Sequence, residues 1–165
     1  MSLHLKVKML TGMACTVKAG YNTTVLDLKK EIANKLSVPA YEQRLATEGG
    51  ELLLNWKALS QHRVKNGDVL LMVVDHNQSL DILVRNDTHS SSYRIQLSQT
   101  VAQLKKIVQG RESIRRDQFW LCFEGQNMRD NDHLGDYALS PLCTIQINLR
   151  LRGGVTGTGG LGSTG

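Results

Sequence analysis

Apolar and polar residues alternate from the start of the chain, with Leu3, Leu5, Val7 and Met9 separated by His4, Lys6 and Lys8. A period of two puts the four apolar side chains on one face and predicts a half-buried strand. Leu80, Ile82 and Val84 repeat the pattern, and Tyr93, Ile95 and Leu97 predict a strand returning beside them. Between these stretches the period lengthens. Val25, Leu28 and Ile32, and later Val101, Leu104 and Val108, stand at i, i+3, i+7 and predict two helices with one apolar face each. Thr100 followed by Gln103 predicts a capping box on the second helix, in which hydroxyl and amide satisfy orphan backbone N–H groups. Thr24 with Asp27 is a weaker version on the first. Further strands are predicted over 43–47 with 69–74, and over 118–123 with 143–149.

The same elements in the same order suggest a repeat, and the letters agree. Thr24-Val-Leu-Asp-Leu-Lys-Lys30 matches Thr100-Val-Ala-Gln-Leu-Lys-Lys106 at an offset of 76, which also places Leu45 on Leu121 and Glu48-Gly49 on Glu124-Gly125. Two copies of a unit of about 75 residues, each large enough to fold alone but with a small core, fill nearly all of the 165 residues. A hairpin, one helix and more strands make each copy an α+β unit with its helix across one sheet face. The predicted organisation is a first domain at 1–75, a short polar linker at 76–79, a second domain at 80–154 and a C-terminal extension at 155–165. That extension holds five glycines and no charge, and reads as a disordered tail. Its Gly157-Thr-Gly-Gly-Leu-Gly162 satisfies G-x-G-x-x-G, but no helix can follow it to hold a pyrophosphate, so the match is a coincidence of composition.

Composition narrows the chemistry. Hydrophobic residues at 41% and charged residues at 21% are the balance of a globular chain. The longest apolar run, Val69 to Val74, is far short of a membrane span. Lys6 and Lys8 interrupt what would be the core of a signal peptide, so a soluble, cytoplasmic protein is expected. The net charge of +5 is spread evenly, without a basic stripe interleaved with aromatics, so neither nucleic acid nor membrane is expected as a partner. Cys15, Cys122 and Cys143 are odd in number and lack C-x-x-C spacing, which predicts reduced thiols rather than a disulfide framework or a zinc site. The five histidines are scattered, no nucleophile elbow is present, and three N-glycosylation sequons have no export signal to expose them. No enzyme activity, metal or cofactor is predicted.

After the last predicted strand the sequence reads Leu149-Arg-Leu-Arg-Gly-Gly154. This is similar to the C-terminus of ubiquitin, and the chain from Thr100 to Gly154 resembles ubiquitin without a gap. Asp117-Gln-Phe-Trp-Leu121, Phe123-Glu-Gly125 and Ile82-Leu-Val-Arg-Asn86 also resemble the interferon-induced two-domain ubiquitin-like modifiers. The resemblance covers nearly all of residues 3–154 and implies two tandem β-grasp domains.

It further implies a modifier trimmed after Gly154 and joined by an isopeptide bond to target-protein lysines, in antiviral innate immunity, with free extracellular signalling by non-classical secretion as a second role. The implied partners are an activating enzyme, a conjugating enzyme, a ligase, processing and de-conjugating proteases, and viral de-conjugating proteases. The physics of such a terminus is independent of the resemblance. A carboxylate that must enter narrow active sites needs an extended bearer without side chains, which Gly153 and Gly154 supply. Leu149, Arg150, Leu151 and Arg152 would be recognised beside it, the arginines offering fork-shaped donors to acidic surfaces.

Other positions depart from ubiquitin. The first copy ends Val73-Val74-Asp75-His76 with no diglycine, so it cannot be released separately. The exposed apolar patch of ubiquitin is replaced in the second copy by Cys122, Gln146 and Asn148, and its two best-known chain-forming lysines by Gln126 and Pro141. Lys105 matches a position that ubiquitin buries beneath its helix. Trp120 falls on the polar face of its strand, where an anchor for de-conjugating proteases competes with simple packing as its role. A tandem ubiquitin-like adaptor that binds partners without conjugation is the alternative function.

Overall fold

In a computed structural model, which describes residues 2–150, the chain forms two units, each a sheet with one helix. The first unit begins with β1 (Ser2–Met9) and β2 (Ala14–Gly20), continues through helix α1 (Val25–Leu36) and β3 (Gln43–Thr47), and closes with β4 (Val69–Val74). Its sheet has the order β2-β1-β4-β3, with β1 antiparallel to β2 and parallel to β4. Leu3, Leu5 and Val7 are wholly buried, as their alternation requires, and meet Leu28 and Ile32 of α1 in one core with Leu45, Leu70 and Met72. The sheet thus covers one face of a single helix, the economical way for a small unit to bury its two apolar surfaces.

The second unit repeats this plan with β5 (Ser79–Arg85), β6 (Ser90–Gln96), α2 (Val101–Glu112), β7 (Phe119–Phe123), the two-residue β8 (Gln126–Asn127) and β9 (Thr144–Leu149), in the order β6-β5-β9-β7-β8. β5 takes up Ser79, the last residue of the expected linker. Again the first strand of the hairpin runs parallel to the last strand of the unit. Both helices start as their sequences predict. Thr100 Oγ1 accepts from the Gln103 N–H at 3.2 Å while Gln103 Oε1 accepts from the Thr100 N–H at 2.8 Å, a complete capping box. Thr24 Oγ1 accepts from the Asp27 N–H at 3.2 Å, without the return bond.

The next residues of the two helices are satisfied in the same manner. Leu26 donates its N–H to the Asn55 carbonyl and Ala102 donates to the Asp130 carbonyl, both at 3.1 Å. Asn55 and Asp130 are therefore counterparts, as are Lys29 and Lys105 on the helices above them. The capped helices, the alternating strands and their pairing make the α+β class of the chain plain. Residues 151–165, including Leu151, Arg152, Gly153, Gly154 and the glycine-rich extension, lie outside the described residues.

Candidate functional site

The site is built where β9 ends. β7 alternates strictly: Phe119, Leu121 and Phe123 are buried, while Trp120 and Cys122 are half-buried on the opposite face. Its antiparallel register with β9 pairs Trp120 with Asn148 and Cys122 with Gln146. These four side chains consequently share one sheet face, and the positions expected to replace ubiquitin's apolar patch meet as a polar and aromatic one. The ladder extends one step beyond the strand, Arg150 donating its N–H to the Gln118 carbonyl at 2.7 Å. Arg150 thus leaves the sheet held by its backbone with its side chain free to turn.

That side chain turns to Trp120, the guanidinium carbon lying 5.8 Å from the indole ring centroid, within reach of a cation–π contact. The indole is fixed from its other end, Nε1 donating to Asn127 Oδ1 at 2.9 Å. A tight turn makes this possible. β7 and β8 pair Phe123 with Gln126 and Cys122 with Asn127, leaving Glu124 and Gly125 to reverse the chain. Their φ angles of 50° and 77° are both positive, the geometry whose twist matches a hairpin and for which glycine at the second position is favoured. Glu124-Gly125, noted in the sequence as part of the repeat, sets Asn127 beside the tryptophan.

Trp120, Asn127, Met128, Asp130, Arg150 and Lys105 line a groove of about 500 Å³. Lys105 is almost fully buried, as the resemblance implied, with its ammonium 3.2 Å from Asp130 Oδ1 and 5.6 Å from the Phe119 ring centroid. Leu149 keeps the inward parity of Ile145 and Ile147, yet at the sheet end it is left half exposed. Leu149, Arg150 and Trp120 are therefore gathered at one corner of the second unit. Among the described residues no three His, Cys, Asp or Glu side chains gather to hold a metal, and no helix is long and apolar enough to cross a membrane.

The ubiquitin family matches this chain twice, over residues 5–77 and again over 82–152. The chain belongs to the ubiquitin family. It consists of two tandem ubiquitin-like β-grasp units, from the family of ubiquitin-like modifiers and adaptors. Among curated relatives, human ubiquitin-like protein 4B is 34% identical over 56 residues, which cover 34% of this chain and 32% of the relative. The chain thus spans about a third of that relative's length.

Sequence reasoning missed two features that ubiquitin-like units present here. Asn127 carried no motif of its own, and only the two-residue turn ahead of it could have marked it. On the first unit, Leu10, Leu52, Leu71 and Val73 are exposed and line a groove of about 480 Å³ together with Lys8, Arg44 and Ala46. The signal was the six-residue apolar run Val69 to Val74. In a strand covered on one face only, half of such a run must face outward.

Proposed function

We propose that this ubiquitin-family chain is a protein modifier, trimmed after Gly154 and attached through that carboxylate to lysine amines of other proteins. The observation that carries the reading is the exit of the chain at β9. Arg150 stands hydrogen-bonded at the end of the central strand β9, and Leu151-Arg152-Gly153-Gly154 follows it in the sequence. In the reaction sequence the Gly154 carboxylate is adenylated, passes to a cysteine as a thioester and is delivered to an amine, each step requiring a slender terminus in a confined site. Arg150 and Trp120 form a composite face at the end of β9, suited to enzymes that must read the modifier while holding its end: the activating and conjugating enzymes, a ligase, and cellular or viral proteases that process or remove it. Action in the cytoplasm within an interferon-linked antiviral response, and a free secreted form, rest on the resemblance to two-domain modifiers.

The test is to incubate protein ending at Gly154 with cognate activating enzyme and ATP. A reducible thioester is the expected product, and its absence overturns the reading. One observation favours a second reading, a non-covalent tandem adaptor: the exposed Leu10, Leu71 and Val73 of the first unit form an apolar surface remote in sequence from the terminus. Partner binding that is lost on Leu10→Ser, in a chain that cannot be charged, would establish that alternative.

A further inference from the structure

Only one asparagine of the chain, Asn66, is followed by glycine. The pair sits in the turn that leads into β4. Asp68 donates its N–H to the Lys65 carbonyl at 3.1 Å, and Gly67, at the third position of the turn with φ 89°, holds a conformation that favours glycine. Both residues of the pair are tied to a single residue of β1. The Gly67 N–H donates to the His4 carbonyl at 2.8 Å, and the His4 N–H donates to Asn66 Oδ1 at 2.7 Å. These two bonds carry the β1–β4 pairing past its first register pair, Lys6 with Val69. An exposed asparagine side chain thus stands in for backbone at one end of the ladder.

We propose that Asn66 is a self-modification site, a deamidation switch that β1 holds closed. The reaction needs no reagent but water. The Gly67 nitrogen, after losing its proton, attacks Asn66 Cγ. The new N–C bond forms, the bond from Cγ to the side-chain nitrogen breaks, and that nitrogen takes up a proton and leaves as ammonia. Water then opens the cyclic imide at either carbonyl, giving aspartate or isoaspartate. Glycine crowds the attacking nitrogen least, because it has no Cβ. In the closed ladder the step is blocked at that nitrogen. Its proton lies in the hydrogen bond to His4, out of reach of base in solvent, and breaking that bond costs free energy. Donation from the His4 N–H draws electrons from Cγ and by itself would favour attack, so the block rests on the nucleophile alone. Lys65 donates its N–H to Asp68 Oδ2 at 2.9 Å, which keeps the turn closed without help from β1. Parting of one strand end is therefore enough to start the reaction, and such local openings are far more frequent than global unfolding. The switch is one-way. Isoaspartate places an additional backbone carbon between the Cα atoms of residues 66 and 67, and cannot present both groups to His4.

Full-length protein is aged in ¹⁸O-labelled water at mildly alkaline pH, in buffer and in a urea series, and peptide mass spectrometry follows label entering residue 66. Hydrogen exchange of the Gly67 amide is measured over the same series, because both processes must release that N–H. The expected rate at Asn66 is at least tenfold lower in buffer than in denaturing urea, and between these limits it rises in proportion to Gly67 exchange. Leu3 is wholly buried beside His4 in β1, and Leu3→Ala should raise both rates at least tenfold in buffer by loosening the strand. Amide NMR spectra check that this variant is folded, and the urea series carries the test should it fail to fold. The isoaspartate form, separated by ion exchange, should exchange its Gly67 amide at least tenfold faster than the unmodified chain. No label at residue 66 in denaturing urea, equal rates in buffer and in urea, a rate that does not follow Gly67 exchange, or unchanged Gly67 protection in the isoaspartate form overturns the proposal.

Discussion

Lys29 is 3% exposed, with Asn55 at the position where Lys105 of the second unit meets the Asp130 carboxylate, so its charge should lower the stability of the first unit, and Lys29→Met should reveal by how much. In the unfolded chain the amine has its ordinary value of 10.5, and in the folded chain about 8, chiefly because burial penalises the charge. At about 1.4 kcal/mol per pH unit the difference corresponds to about 3 kcal/mol. Below pH 8 both states hold the proton, and the folded state bears the full cost of a buried ammonium without a carboxylate. Between pH 8 and 10.5 the folded amine gives up its proton while the unfolded one keeps it. The unfolded state then binds more protons, so stability rises with pH across that window. Methionine occupies a similar volume without the charge, and exchanging a buried charge for a packed apolar group is commonly neutral or stabilising. The variant should therefore gain about 1–3 kcal/mol at pH 7, and the gain should shrink below about 0.5 kcal/mol at pH 10.5. Urea titration of the full chain, followed by the amide NMR signals of Leu5 and Ile32, measures the first unit separately. The difference between variant and wild type removes every other titrating group. A variant less stable at pH 7, or a gain unchanged between pH 7 and 10.5, would refute the reasoning.

Thr100→Ala removes the hydroxyl acceptor of the capping box and should cost the second unit about 1 kcal/mol, read from the urea midpoint of amides in α2. Trp120→Ala should weaken binding of a de-conjugating protease by about 2 kcal/mol or more, measured by calorimetry. Because the ring is half exposed, the same change should cost only about 1 kcal/mol of stability; a large fall in melting temperature with unchanged affinity would make the indole a packing residue. A fragment of residues 79–154 should fold alone and still form the thioester, since its hairpin, capped helix and closing strand are all its own. A folded fragment that the activating enzyme cannot charge would mean that activation reads both units.

What the sequence by itself determined was whatever depends on neighbours along the chain. The alternation of Leu3, Leu5 and Val7, the helical spacing of Val101, Leu104 and Val108, the Thr100–Gln103 cap and the internal repeat are all periodicities of a few residues, and each element forms with the face it predicts. The outward position of Trp120 was legible for the same reason, since a strand fixes the parity of its side chains. Tertiary structure decided what depends on residues far apart. The sequence repeats Lys29 and Lys105 in the same T-V-x-x-L-K-K frame, yet the fold brings the Asp130 carboxylate to Lys105 and places Asn55 at the corresponding position of the first unit. Likewise the apolar run Val69 to Val74 could not say which of its faces would be covered. That was settled when β4 came between β1 and β3 with α1 on one side only, burying Leu70 and Met72 and leaving Leu71 and Val73 exposed. The meeting of Trp120, Asn127 and Arg150 has the same origin: strand register and a turn with two positive φ angles aim three side chains that no local pattern connects.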